Sequence, residues 1–189
     1  MHYHCEVWTK EKPENVELFL ENIMKPYEEN EDGTGFWDWY QIGGRWTGVK
    51  TNYSPEEDPE NYEKCHLCTN GYRNDTVGKD ARIRDNTYTC NGCGYYDTEN
   101  KRWQQSKFKP GWRLKWPTDW KLFDGDICPV EKIENDLFCH TLIVNEKVFH
   151  TYEWNGEEFE KTDFDGNVKE QLKKLNITDG YLITVDYHS

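Results

Sequence analysis

His2-Tyr3-His4-Cys5-Glu6-Val7-Trp8 alternates residue by residue, with Tyr3, Cys5 and Val7 on one face and His2, His4, Glu6 and Trp8 on the other. A period of two marks a half-buried strand, so the chain opens on a strand. Pro13 then opens a helix whose apolar positions Val16, Phe19, Leu20, Ile23 and Met24 follow the 3.6-residue period, and Pro26 stops it. Residues 139–144 and 147–154 read as two strands turned by Asn145-Glu146, a hairpin. A helix follows over 168–175, with Val168, Leu172 and Leu175 on its apolar side, and residues 181–187 read as the last strand. Strand, helix, long insertion, strand, strand, helix, strand is an α+β order, and it predicts a ferredoxin-like split βαβ sandwich of two layers. Residues 1–30 and 128–189 form its body, and 31–127 the insertion.

The insertion carries the most specific motif in the chain. Cys65-His-Leu-Cys68 and Cys90-Asn-Gly-Cys93 are separated by residues 69–89, and two Cys-x-x-Cys pairs at that spacing can supply four thiolates to one tetrahedral zinc ion. The expectation is a structural zinc ribbon over 65–93. A closed four-thiolate site leaves no open coordination position, so it staples a fold and does not itself catalyse. The remaining cysteines, Cys5, Cys128 and Cys139, are scattered, which fits a reducing, cytosolic compartment better than a disulfide framework.

Composition narrows the function classes. The net charge of −13 argues against wrapping polymeric DNA or RNA, whose phosphates need a Lys/Arg surface. A small phosphorylated ligand held by a few local cations stays compatible with it. No run approaches eighteen apolar residues and no leader pattern begins the chain, so neither a membrane nor export is expected. Aromatic residues reach 15% while Ala81 is the one alanine, so the core must lean on Trp, Tyr and Phe.

Between helix and ribbon lies Phe36-Trp-Asp-Trp39-Tyr40-Gln-Ile-Gly43-Gly44-Arg45-Trp46. Large aromatics around two glycines and an arginine make a loop pressed against a core. Arg45 either grips a carboxylate or phosphate in a bidentate manner, with Trp46, Trp39 and Tyr40 as ligand-binding aromatics, or pairs internally with Asp38 or another carboxylate. Asp124-Gly125-Asp126 reads as a turn, with a cation site as the alternative.

In a split βαβ sheet the start of the first strand meets the end of the last. His2 and His4 then meet Asp186 and His188 on the face opposite the apolar residues, and His150 on the neighbouring strand joins them if its register allows. Such a cluster suits a second divalent metal, or general acid/base work near neutral pH; the alternative is solvent-facing or internally bonded histidines. A two-histidine phosphodiesterase would need His-x-Ser/Thr motifs, whereas His140-Thr141 and His150-Thr151 carry the hydroxyl one position early.

Taken together, His4, Pro26-Tyr27-Glu28, Trp39-Tyr40, Gly43-Gly44-Arg45-Trp46, Gly125-Asp126-Ile127 and Val185-Asp186-Tyr187-His188 resemble a group of small phage and bacterial proteins with a Gly-Gly-Arg-Trp motif and a C-terminal Val-Asp-x-His strand. The resemblance implies a phage or prophage setting, with the host cytosol as the compartment, and singles out His4, Arg45, Asp186 and His188. Two functional readings follow. In one, an accessory, anti-defence zinc protein binds and hydrolyses a small phosphorylated or nucleotide-like ligand, with His4, His188 and Asp186 as catalytic groups aided by His2 and His150. In the other, the pocket sequesters a host signalling nucleotide without chemistry, or the protein inhibits a host protein.

Overall fold

The computed structural model describes residues 1–31, 35–65, 112–133 and 136–189, with the backbone alone of the strands Cys68–Thr69, Tyr72–Arg73, Ala81–Arg84, Thr87–Cys90, Gly94–Asp97 and Arg102–Trp103. It is a mixed α+β chain in two compact units, Met1–Tyr53 with Leu122–Ser189, and Ser54–Lys121.

The first unit is built on one sheet. Its strands run in the order Ile127–Pro129, Tyr181–His188, His2–Thr9, Thr141–Val144, Lys147–His150. The N- and C-terminal strands pair antiparallel over their whole length, from His2 opposite His188 to Thr9 opposite Tyr181. Trp39–Ile42 pairs with the other edge of the C-terminal strand, beyond Ile127–Pro129. It is therefore a strand of the body, although the sequence reading placed it in the insertion.

The strand order departs from the split βαβ expectation. That arrangement sets the third strand beside the first. Here the second, Thr141–Val144, lies there, parallel to His2–Thr9 with Cys5 opposite Thr141. Lys147–His150 is left at the edge. The physical reason lies in the two segments themselves. Thr141-Leu-Ile-Val144 is buried at every position, as a strand covered on both faces must be, whereas Lys147-Val-Phe-His150 is nowhere fully buried. Asn145 and Glu146 both take positive φ, 48° and 64°, as a tight two-residue hairpin turn requires.

The two helices also cover opposite faces. Leu20 and Met24 of the helix Val16–Met24 pack with Cys5, Val7, Ile143, Ile183 and Val185. Val168 and Leu172 of the helix Val168–Lys174 pack with Leu142, Val144, Leu182 and Cys128. Both helices begin on an asparagine cap, Asn15 accepting from the Leu18 N–H and Asn167 from the Glu170 N–H. The face carrying His4 and Glu6 is thus not open: its other half, at Leu142, Val144 and Leu182, is a second core.

In the second unit, Tyr62–Lys64 pairs with Trp112–Leu114. Fully buried Asn61 ties the two ends of this unit: its Nδ2 donates to Pro55 O, its Oδ1 accepts from the Lys121 N–H, and its carbonyl accepts from the Lys115 N–H. Between them, Cys68–Thr69 pairs with Tyr72–Arg73, and Ala81–Arg84, Thr87–Cys90, Gly94–Asp97 and Arg102–Trp103 form a four-stranded antiparallel sheet. Cys93 lies outside the described residues.

Candidate functional site

Because His2, His4 and Glu6 alternate with apolar residues, they share one face, and the register sets them against His188, Asp186 and Thr184. The predicted meeting of the two chain ends therefore occurs. The side chains, however, are committed in separate pairs. His2 Nδ1 lies 2.9 Å from Asp186 Oδ1, and His188 Nδ1 lies 2.8 Å from Asp38 Oδ1. His4 Nε2 lies 2.9 Å from Glu6 Oε1, which also accepts from the Thr184 hydroxyl.

Below them sits a buried ion pair. Lys50 Nζ donates to Glu6 Oε2 at 2.8 Å and to the carbonyls of Asp126 and Leu182, so all three ammonium protons are used. Burial pushes the Glu6 carboxyl up, but the Lys50 ammonium and the His4 bond together hold it below its usual range. Asp126 behaves differently. Burial raises it to about 6, against the Gly48 N–H bond, the Lys50 charge and the Thr47 hydroxyl. Its Oδ2, beside Thr47 and under Gly43, has no well-formed hydrogen bond. Each partner here belongs to the sheet, to the Asp124–Asp126 turn that leads into it, or to the Gly43–Lys50 segment, which makes this half of the face an internal seam joining that segment to the strands.

Arg45 contributes to the seam through its backbone, whose N–H donates to Asp186 Oδ2 at 3.0 Å. Its side chain is exposed and forms no ion pair with any described residue, and Asp38 pairs with His188 instead. Trp39 makes an edge contact with His2. Tyr40, one position on, turns to the opposite face, against Trp37 and the first core. Trp46 stacks on His4 at 5.0 Å and 12°. Among the described residues no group of three or more His, Cys, Asp or Glu side chains is arranged to hold a metal ion.

His150 does not join the His4 face. It is opposite Thr141, which is opposite Cys5, so it falls on the face of Tyr3 and Tyr187. There the Thr141 hydroxyl lies 3.0 Å from His150 Nδ1 and 2.8 Å from the Tyr187 hydroxyl, an unbroken chain of hydrogen bonds. Burial lowers the His150 imidazole and raises the Tyr187 phenol, so both are neutral at pH 7.

A second histidine, absent from the sequence-based site, completes the arrangement. The His4 backbone N–H donates to His140 Nδ1 at 3.2 Å, so neutral His140 carries its proton on Nε2. Burial and the neighbouring His4 both lower the His140 imidazole. Two hollows share His140, Thr151 and Tyr152 as a common wall. The larger, about 460 Å³, is bounded by His150, Tyr187, Phe36, Trp154 and Phe159 among others. The smaller, about 310 Å³, is bounded by His4, Trp46, Lys161 and Asp165. Tyr152, Trp154 and Phe159 line this groove while 56%, 57% and 69% exposed, although such rings favour burial. Among the described residues, no Lys or Arg borders the larger hollow and Lys161 alone borders the smaller. The sequence signal for this pair was the repeated His-Thr dipeptide, 140–141 and 150–151, which strand pairing brings side by side.

The chain matches no family model, no curated protein and no solved structure. Among the described residues, no helix is long and apolar enough to cross a membrane.

Proposed function

We propose that the protein binds a small nucleoside- or mononucleotide-like ligand in the groove centred on His140, and that its inserted unit is a zinc ribbon. The observation that carries the first part is the groove itself: exposed aromatic rings at one end, the His140 imidazole in the shared wall, and one lysine at the other end. Aromatic faces accept a nucleobase, and stacking contributes about 1–3 kcal/mol per base. His140 Nε2–H gives a fixed donor to a sugar or phosphate oxygen. A single cation, Lys161, suits at most one phosphate, which favours a mononucleotide over a polyphosphate.

Two imidazoles that are neutral near pH 7 also suit general acid/base chemistry on the ligand. Turnover with His140 and His150 as the acid/base pair is the second reading, and sequestration without chemistry the first. His4, Asp186 and His188 keep a supporting role in both, because each is already hydrogen-bonded within the fold.

Isothermal titration with adenosine, guanosine and their 5′-monophosphates tests the binding. Saturable binding to the intact protein is expected, weakened at least tenfold in Trp154→Ala, with His140→Ala losing the preference for the monophosphate. Chromatography of the same mixtures separates the two readings: unchanged ligand after long incubation means sequestration, and a product lost in His150→Ala means turnover. Heat-free titrations with all four compounds would end the proposal.

For the ribbon, the supporting observation is backbone geometry. Cys90 pairs with Gly94 across the antiparallel strands Thr87–Cys90 and Gly94–Asp97, and Cys93 directly precedes Gly94 in the sequence. Cys68–Thr69 pairs antiparallel with Tyr72–Arg73, which in turn lies beside Thr87–Cys90. Four thiolates, from Cys65, Cys68, Cys90 and Cys93, would hold zinc as a purely structural ion.

A further inference from the structure

At the end of the sheet where Thr9, Tyr181 and Pro129 align, a cleft of about 660 Å³ is bounded by Lys12, Lys132, Thr51, Asn52, Asp124 and Tyr181, with Lys50 in its inner wall. It shares no wall residue with the His140 groove. In a chain of net charge −13, a cleft with three ammonium groups and one carboxylate is a local reversal of sign.

Lys50 is neutralised by Glu6 and its donors are spent, so it offers nothing to a ligand directly. Lys12 and Lys132 are different. They come from separate segments, Lys12 from the stretch before the first helix and Lys132 from the 3-10 turn Val130–Lys132; both are exposed, and neither forms an ion pair with a described residue. The Thr51 hydroxyl is occupied, donating to Gly48 O and accepting from the Tyr53 N–H. The Asn52 amide and the Tyr181 hydroxyl are the neutral donors that remain.

Asp124 decides between oxyanions. A carboxylate repels a fully deprotonated dianion such as sulfate, but it accepts a hydrogen bond from the P–OH of hydrogen phosphate. We propose that this cleft is a binding site for inorganic phosphate in its protonated forms, held by Lys12 and Lys132 and selected over sulfate by Asp124. The stretch Asp124-Gly-Asp126 thus serves an anion, not a cation: Asp126 is turned inward to the Gly48 N–H, and among the described residues Asp124 is the carboxylate that lines the cleft with the lysines.

The test is a titration of the ¹⁵N-labelled full chain with sodium phosphate and, separately, sodium sulfate at matched ionic strength, following the amide resonances of Thr51, Asn52 and Lys132. Saturable shifts with phosphate, at least tenfold weaker with sulfate, are expected. The Lys12→Gln/Lys132→Gln double variant should lose them. In Asp124→Asn the discrimination should disappear, with sulfate binding as well as phosphate. All three residues are exposed, so the variants are expected to keep the wild-type spectrum elsewhere. Absence of saturation with phosphate, or saturation unchanged in the double variant, overturns the site. Equal responses of the wild type to both anions overturn the selection by Asp124.

Discussion

His4 and Asp186 are register partners across the strand pair that joins the two ends of the chain, yet no hydrogen bond links them. His4 turns down the strand to Glu6, and Asp186 turns up to His2 and sideways to the Arg45 N–H. Two residues that the sequence brings to one place are thus drawn into different assemblies, one closing the chain ends and one sealing a buried charge.

The buried charge gives the first prediction. Lys50 and Glu6 are both fully buried side chains 2.8 Å apart. Removing one partner leaves the other as an uncompensated charge, which typically costs about 3–5 kcal/mol. Lys50→Met should therefore destabilise the protein strongly, while the double variant Glu6→Gln/Lys50→Met should recover a large part of the loss. Urea unfolding of the three proteins checks this; a double variant as unstable as Lys50→Met would show that the loss is one of packing and not of charge.

How much of this was legible beforehand can be traced residue by residue. Period-two alternation in residues 2–8 and 181–187 marked both terminal strands, and their antiparallel pairing placed His2 opposite His188 as expected. The helices were legible from their apolar stripes and end signals. The neighbour of the first strand was not, because the split βαβ pattern was matched on element order alone. The needed signal was present: Leu142, Ile143 and Val144 form a continuous apolar run, which belongs to a strand covered on both faces. That same run implied a helix on each face and hence no open histidine face. The sequence shows His140 only as half of the His140-Thr141 dipeptide and not as a site residue, since it precedes its strand and is fixed by a backbone N–H, which no side-chain pattern records.

The pH dependence of stability follows from Asp126. Its carboxyl is raised to about 6, so between roughly pH 4 and 6 the folded protein holds a proton that the unfolded chain has released. Stability from this group therefore rises as pH falls through that window. His140 and His150 act with the opposite sign, since burial lowers both and the unfolded chain takes up their protons first. Asp126→Asn isolates the carboxyl: it should be more stable than wild type at pH 7.5, by up to about 3 kcal/mol, with the gain gone by about pH 4. Urea midpoints measured across this range check the sign, and parallel curves for the two proteins would rule the assignment out.

Gly44 tests the seam. It has φ +57°, and a Cβ there would lie 2.3 Å from Gln41 Nε2 and 2.5 Å from Asp186 Oδ2. Gly44→Ala should cost at least about 2 kcal/mol, combining left-handed strain with displacement of Asp186 from the Arg45 N–H. Gly156 supplies the control, as its φ is also positive, at +102°, but nothing lies within 4 Å of the added carbon. Gly156→Ala should lose clearly less in the same unfolding experiment. Equal losses would mean that backbone strain alone, and not the close approach to Asp186, makes position 44 glycine.

A bound zinc would distinguish the inserted unit from the sheet. If Cys65, Cys68, Cys90 and Cys93 close one tetrahedral site, mass spectrometry should find one zinc per chain, lost in Cys65→Ser and in Cys90→Ser. His188→Ala should keep it, because His188 Nδ1 is bonded to Asp38 in the other unit. Chelation should unfold the inserted unit, whose described strands are each only two to four residues long, while the sheet keeps its own two cores. Hydrogen exchange resolves this: amides of 81–84 and 87–90 should lose protection on chelation and those of 2–9 and 181–188 should not. Zinc retained by Cys65→Ser would remove that thiolate from the site. A second metal lost with His188→Ala would place an ion at the paired chain ends and return catalysis there to the leading reading.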